Sequence, residues 1–297
     1  MFERLDRARE GADGGFGPVD RAQLALLLEV AGTPKPGNVD RSRDLAELRF
    51  EHFLAGAVGV RAGLDRAAAG EPIGTSFERA VAGMTRFAGR NTQFGSLLLL
   101  VPLVSAARGG LDRSSVERAV SETTVDDAAA FYRAFEHVSV AVDEPPADAA
   151  ALDARRGADA IPAVRDRGLD LRSVLELGVP GDDVAREWVT GFERSYDAAR
   201  RLSVADGPLQ DRVASVFLEL LAERPDTLVS IRHGESVAAE VRKRARDLVE
   251  RGAFERDRDA VETFATELVE RGINPGTTAD LTAAGLFIRL EGGPVDR

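Results

Sequence analysis

Apolar residues recur every three to four positions along most of this chain, the spacing of a single helix face. Segment 18–30, PVDRAQLALLLEV, starts with a proline, which suits a first helical turn, and stops just before Gly32. The same period runs through 44–69, 76–88, 95–107, 116–121, 125–142, 183–202, 211–222, 235–251, 257–270 and 278–290. No stretch alternates apolar and polar residues with turn spacing, so the expected class is all-α, a single large multi-helix domain over 1–297. Segment 142–170 breaks the pattern with prolines, small residues and scattered charges. Helices of similar composition continue on both sides, so it reads as a long irregular loop inside that domain. No repeat of fixed period is visible.

Hydropathy also bounds the setting. The longest apolar run, LLLLVPLV at 97–104, is short for a bilayer and holds a proline, and the N-terminal MFERLDRARE is charged from its third residue. The expectation is a cytoplasmic protein with no membrane contact.

Composition narrows the chemistry. There are 39 Lys and Arg against 50 Asp and Glu, a net charge of −11, so a general nucleic-acid face is excluded while a local basic pocket is not. Cysteine is absent, which removes disulfides, thiolate nucleophiles and zinc–thiolate sites. The histidines are His52, His137 and His233, too few for a His-rich metal site. A divalent metal would be held by carboxylate oxygens, which favours Mg²⁺ or Mn²⁺. The only lysines are Lys35 and Lys243, and this excess of acid with scarce lysine fits a salt-adapted or GC-rich source.

The residues with chemical potential gather in turns before helices. In TPKPGNVDR, 33–41, two prolines and Gly37 make a stiff turn that can hold Lys35 and Asn38 near a phosphate. Asp40 or Ser42 would cap the next helix. Asp40, Asp44, Glu47 and Glu51 follow at spacings of four, three and four, which would align them on one helix face. A capped helix with a solvated acidic face would show the same spacing.

In GRNTQFGSLLLLVPL, 89–103, Asn91, Thr92 and Gln93 precede Gly95 and a very apolar helix. The N-terminus of such a buried helix suits an anion; a plain Asn or Thr cap is the simpler reading. TTVDDAAAFYRAF has Thr124 as cap with Asp126 and Asp127 in the first turn. PDTLVSIRHG places Asp226, Arg232 and His233 in an irregular stretch before Gly234. In NPGTTADL, Thr277-x-x-Asp280 matches a capping pattern, and Gly276, Thr277 and Thr278 could present donors to phosphate. No Walker A, G-x-G-x-x-G, H-E-x-x-H or G-x-S-x-G motif is present.

Taken in order, TPKPGNVDR (33–41), NTQFG (91–95), DTLVSIRHG (226–234) and NPGTTADL (274–281) resemble the triphosphoribosyl-dephospho-CoA synthase family. The resemblance implies an all-helical fold and transfer of a triphosphoribosyl group from ATP to the 2′-hydroxyl of 3′-dephospho-CoA, with release of adenine. It carries over most safely at Lys35, Pro36, Gly37, Asp40, Asn91, Thr92, Gly95, Asp226, His233, Pro275, Gly276, Ala279 and Asp280. Two positions depart from the pattern. The family's Asn-Thr-His-Lys-Gly has Gln93 and Phe94 at its basic pair, and its His-Arg-Gly-Gly is here Arg232-His233-Gly234-Glu235. The chain therefore reads as a divergent member whose acceptor is open, either dephospho-CoA or another cofactor precursor. A non-catalytic nucleotide- or CoA-binding protein on the same scaffold is the alternative from another class.

Within the resemblance, Asp40, Asp44 and His233 are the expected catalytic groups, and Asp40, Asp44 and Asp280 the expected Mg²⁺ ligands. Lys35, Gly37, Asn38, Asn91, Thr92, Gly95, Arg232, Gly276, Thr277 and Thr278 would hold ATP and the acceptor. A homodimer joined through a helix face is compatible with the pattern.

Overall fold

The computed structural model describes residues 16–145, 147–179 and 181–292, and among these it is all-helical, with one isolated antiparallel bridge between Asp40 and Arg43. The helices are α1 Pro18–Ala31, α2 Phe50–Gly59, α3 Arg61–Ala69, α4 Ile73–Ala88, α5 Phe94–Ala106, α6 Arg113–Ser121 and α7 Val125–Ala134. They continue with α8 Ile161–Arg167, α9 Leu171–Glu176, α10 Asp183–Thr190, α11 Glu193–Val204, α12 Leu209–Glu223 and α13 Thr227–His233. The last four are α14 Glu235–Glu250, α15 Ala253–Arg256, α16 Arg258–Glu270 and α17 Gly276–Glu291.

Two helices set the architecture. Both α5 and α17 are apolar around nearly their whole circumference, so they can only be satisfied by neighbours on every side. Leu97, Leu99, Leu100 and Val101 of α5 and Leu281, Leu286, Phe287 and Ile288 of α17 are fully buried. α17 packs against α1, α5, α11 and α12. Gly285 permits its approach to α11, since a Cβ there would lie 2.5 Å from that of Ala198. A second apolar cluster joins α12, α14 and α16 through Phe217, Val241 and Phe264. α12 serves both clusters, with Val213, Val216 and Leu220 in the main one and Phe217 and Leu221 in the other.

The expected segments mostly appear, and the differences have local causes. Segment 44–69 is not one helix: residues 40–49 are irregular, and α2 and α3 meet at Val60. Asp40 accepts from the Ser42 amide at 2.8 Å and Asp44 from the Phe50 amide at 2.8 Å. Such side-chain bonds compete with helical ones. Asp40, Asp44 and Glu47 therefore precede α2 and share no helix face with Glu51. Neither Asp40 nor Ser42 caps α2, whose N-cap is Arg49.

Segment 183–202 splits at Gly191 and Phe192, both at positive φ, because buried Glu187 accepts the amides of Arg194 and Ser195 at 3.1 and 2.8 Å and so starts a new helix. Segment 125–142 is helical only to Ala134. Much of 142–170 winds into 3₁₀ turns, Ala147–Leu152 and Ala154–Ala160, and into α8. Residues 227–233, expected to be irregular, form α13.

Candidate active site

The TPKPGNVDR turn is an internally braced knot. Lys35 is fully buried, ion-paired to Glu29 of α1, and donates to Asn38 Oδ1 at 2.9 Å. Its ammonium sits 5.6 Å from the centre of the Phe217 ring. Asn38 Nδ2 then donates to Asn274 Oδ1 at 2.8 Å, which ties this motif to NPGTTADL 236 residues away. Gly37, at φ 72°, has no room for a side chain, since a Cβ would lie 2.2 Å from the Ile273 carbonyl oxygen. Asp40 is also fully buried, and it accepts from Thr33 Oγ1, the Lys35 amide, the Ser42 amide and Arg43 at 2.8–3.1 Å. Its oxygens are spent on shaping the turn, while Asp44 is exposed.

The N-terminus of α5 meets a carboxyl group of the protein itself. Asp280, from the second turn of α17, accepts from Ser96 Oγ at 2.6 Å and from the Ser96 backbone amide. Gly95 makes this possible, because a Cβ there would sit 2.1 Å from Asp280 Oδ2. Burial pushes the Asp280 carboxyl up to about 8; the Ser96 bonds oppose this and the nearby Glu29 and Asp226 carboxylates reinforce it. The capping pattern read from Thr277 and Asp280 is not formed: the N-cap of α17 is Pro275, with no side-chain cap bond. At the start of α5, whose N-cap is Gln93, Asn91 Oδ1 accepts the Phe94 amide at 3.1 Å.

Asp226 caps α13 through the Val229 amide and also accepts from the amide and hydroxyl of Thr278, both at 2.7 Å. Burial raises its carboxyl to about 6. Thr278 is thus committed to joining α13 and α17.

These elements enclose a cavity of about 170 Å³. Its polar wall includes Glu29, Asn38, Asn274, Thr277, Asp280 and Arg232. Asn91, Thr92, Gly95 and Gly276 also face it. Arg232 is the one basic side chain on that wall among the described residues. Lys35, Gly37, Asp40, Asp44, Thr278 and His233 do not line it; His233 is exposed, with Nε2 3.2 Å from the Gly272 carbonyl oxygen. Gln93 and Phe94, at the positions of the family's basic pair, line the cavity and are also engaged in packing. Gln93 Nε2 donates to the Phe53 carbonyl at 3.3 Å, and Phe94 stacks edge-on to Phe77 and Phe135 with ring centres 5.1 Å apart.

Residues 17–295 match the family described as ATP:dephospho-CoA triphosphoribosyl transferase. The chain belongs to that family. A solved structure provisionally assigned as a triphosphoribosyl-dephospho-CoA synthase from Archaeoglobus fulgidus is similar over 80% of this chain and 97% of its own, with 26% identity and a TM-score of 0.65. The chain is accordingly a transferase of prosthetic-group biosynthesis that uses ATP and dephospho-CoA.

Sequence reasoning missed several residues of the transferase's cavity. Glu29 is the most important, and its signal was a lone carboxylate inside the apolar run LALLLEVA. Ser96 and Asn274 were hidden because their roles depend on partners 184 and 236 residues away.

No group of three or more His, Cys, Asp or Glu side chains that could hold a metal ion gathers among the described residues. The expected Mg²⁺ ligands are accounted for otherwise: Asp40 is saturated, Asp44 is exposed and bonded to Phe50, and Asp280 is bonded to Ser96. A resident Mg²⁺ site does not fit these residues.

Proposed function

We propose that Glu29 and Asp280 are the base and the acid of triphosphoribosyl transfer to dephospho-CoA. One observation carries this reading: two buried carboxyl groups line a single cavity, and their surroundings differ in kind. Burial pushes the proton affinity of Glu29 upward, and the Lys35 ammonium in contact with it opposes this by favouring the charged form. A carboxyl group held between these opposing influences is a willing proton acceptor. Asp280 has no cationic partner among its bonds, and with its carboxyl near 8 it holds a proton at neutral pH. Paired carboxyl groups with divided roles are the usual equipment for substitution at an anomeric carbon.

The reaction then balances simply. The 2′-hydroxyl oxygen of dephospho-CoA attacks C1′ of the ATP ribose. The C1′–N9 bond breaks, its electrons leave with adenine, and Asp280 supplies the proton that neutralises the departing base. Glu29 takes the hydroxyl proton. Arg232 faces the phosphates, and Asn38, Asn274 and Thr277 offer neutral hydrogen-bonding groups to the ribose. Mg²⁺ enters as part of the substrate, bound to the triphosphate. Lys35 and Asp40 act at one remove, by holding Glu29 and the turn in place.

The test is adenine release from ATP with dephospho-CoA, followed by chromatography. Glu29→Gln and Asp280→Asn should each lower the rate about 10²–10⁴-fold, while His233→Ala changes it little. Full turnover in either carboxyl variant overturns the assignment. Adenine release that ignores the acceptor would mark a glycohydrolase instead.

A further inference from the structure

Beside the polar cavity, so named for Glu29 and Asp280 on its wall, lies a larger and more apolar one, of about 480 Å³. The two share Phe131, Phe135, Val142, Leu175, Asp182 and Ile231 as a common wall. The polar cavity is smaller than the roughly 300–1,000 Å³ usual for a small-molecule site, so substrates must extend beyond it. The second cavity is walled mainly by apolar groups, including Tyr132, Leu152, Val174 and Leu177. Leu177 is one of the few large apolar side chains left exposed, at 38%. The charged residues on its lining are all acidic, Asp143, Glu144 and Asp182, with no Lys or Arg among the described ones. Phosphates are repelled there, and a long uncharged group is not.

We propose that this second cavity holds the neutral pantetheine arm of the acceptor. This rests on the transfer reading given above. The reacting 2′-hydroxyl must lie beside Glu29 and Asp280, and the donor's purine is joined directly to the carbon under attack. Both purine and phosphates of the donor are thereby kept near the polar cavity. The arm is the one long segment of either substrate that carries neither charge nor a reacting atom. Its diphosphate would cross at the boundary, where Ile231 and the acid Asp182 line both cavities and Arg232, the residue after Ile231, supplies the compensating positive charge from the polar one. Glu144, the outermost acid, is paired with exposed Arg155 at 3.3 Å, so the mouth is not strongly charged. The arm's amides and branched carbons match a wall of aromatic and aliphatic groups with few polar atoms.

The test measures binding, independent of turnover. Formycin triphosphate with Mg²⁺, whose base is joined by an uncleavable carbon–carbon bond, fills the donor site. Dephospho-CoA and ADP, which lacks the arm, are then titrated calorimetrically. The wild type should bind dephospho-CoA at least about ten-fold tighter than ADP, a difference of about 1.4 kcal/mol. Ala154→Trp, which fills the second cavity from a half-buried position, should bring the two affinities to within about two-fold without changing that for ADP. Leu177→Asp repeats the test from the exposed rim, where no buried side chain is disturbed.

Equal wild-type affinities, or a preference that survives both variants, overturn the proposal. So does weaker formycin triphosphate binding with the preference intact, which would place the donor's purine there. If the preference is seen and lost as expected but no adenine is ever released from ATP, the arm assignment stands and the transfer reading fails.

Discussion

At the scale of single residues, the site is governed by charges that have left water. Asp280 ionises at 3.8 in an ordinary setting and at about 8 in the folded protein. Below about pH 4 both folded and unfolded states hold the proton, and the group's contribution is fully present. As pH rises towards 8 the unfolded chain releases its proton and the folded one resists, so stability is lost across that window. Asp280→Asn removes the titration. Its melting temperature relative to wild type should therefore climb from pH 4 to 8 and level off above, in paired thermal melts. Each pH unit separating the folded and unfolded ionisations corresponds to about 1.4 kcal/mol, so the gap should be readily measured. Lys35→Met tests the neighbouring group. It strands Glu29 as a buried carboxylate without its counter-charge, and denaturant unfolding should show a loss of about 3–5 kcal/mol. A neutral result would mean that Glu29 does not depend on Lys35.

At the scale of elements, glycines and amide side chains decide how closely the motifs meet. The start of α5 can approach α17 only because residue 95 lacks a Cβ. Gly95→Ala should displace Asp280 and reduce adenine release by at least about ten-fold, with the helical circular dichroism unchanged. Unimpaired turnover in this variant would show that Asp280 need not sit where it does. The Asn38–Asn274 bond joins two turns that are far apart in the chain. A double-mutant cycle with Asn38→Ala and Asn274→Ala should reveal a coupling of about 0.5–1.5 kcal/mol in unfolding free energy, whereas additive losses would mean that the turns are held independently.

Most helices were legible because a helix face writes its period locally. The failures came where side chains took backbone amides. Asp40 and Asp44 hold 40–49 out of a helix that periodicity alone would extend, and Glu187 cuts another in two by capping α11. The reverse error, at 227–233, arose because a helix of seven residues is too short for its period to register.

At the scale of the whole molecule, the substrates are part of the electrostatics. Glu29 and Asp226, brought from two distant helix ends, both raise the proton affinity of Asp280. Bound Mg·ATP should stabilise the fold through mass action, by about 2.7 kcal/mol at a hundred-fold excess over its dissociation constant. Differential scanning calorimetry would show the rise in melting temperature, and chelating the metal should shrink it. The net charge of −11 stands apart from this, and Arg232 is the one basic side chain on the pocket wall among the described residues.

The amino-acid sequence by itself determined the helical class, the absence of thiol and His-rich metal chemistry, and four motifs whose order points to a family. Those properties are local or compositional, and need no knowledge of which helix touches which. Only the tertiary structure decided where the motif residues lie. It buried Lys35 and Asp40 as braces, left Asp44 and His233 outside the cavity, and brought Glu29 and Asp280 to one wall. The physical reason is that a carboxylate's role is set by its surroundings. A counter-charge, a hydrogen-bond donor and the loss of water arrive from residues hundreds of positions away, and no spacing within the chain records them.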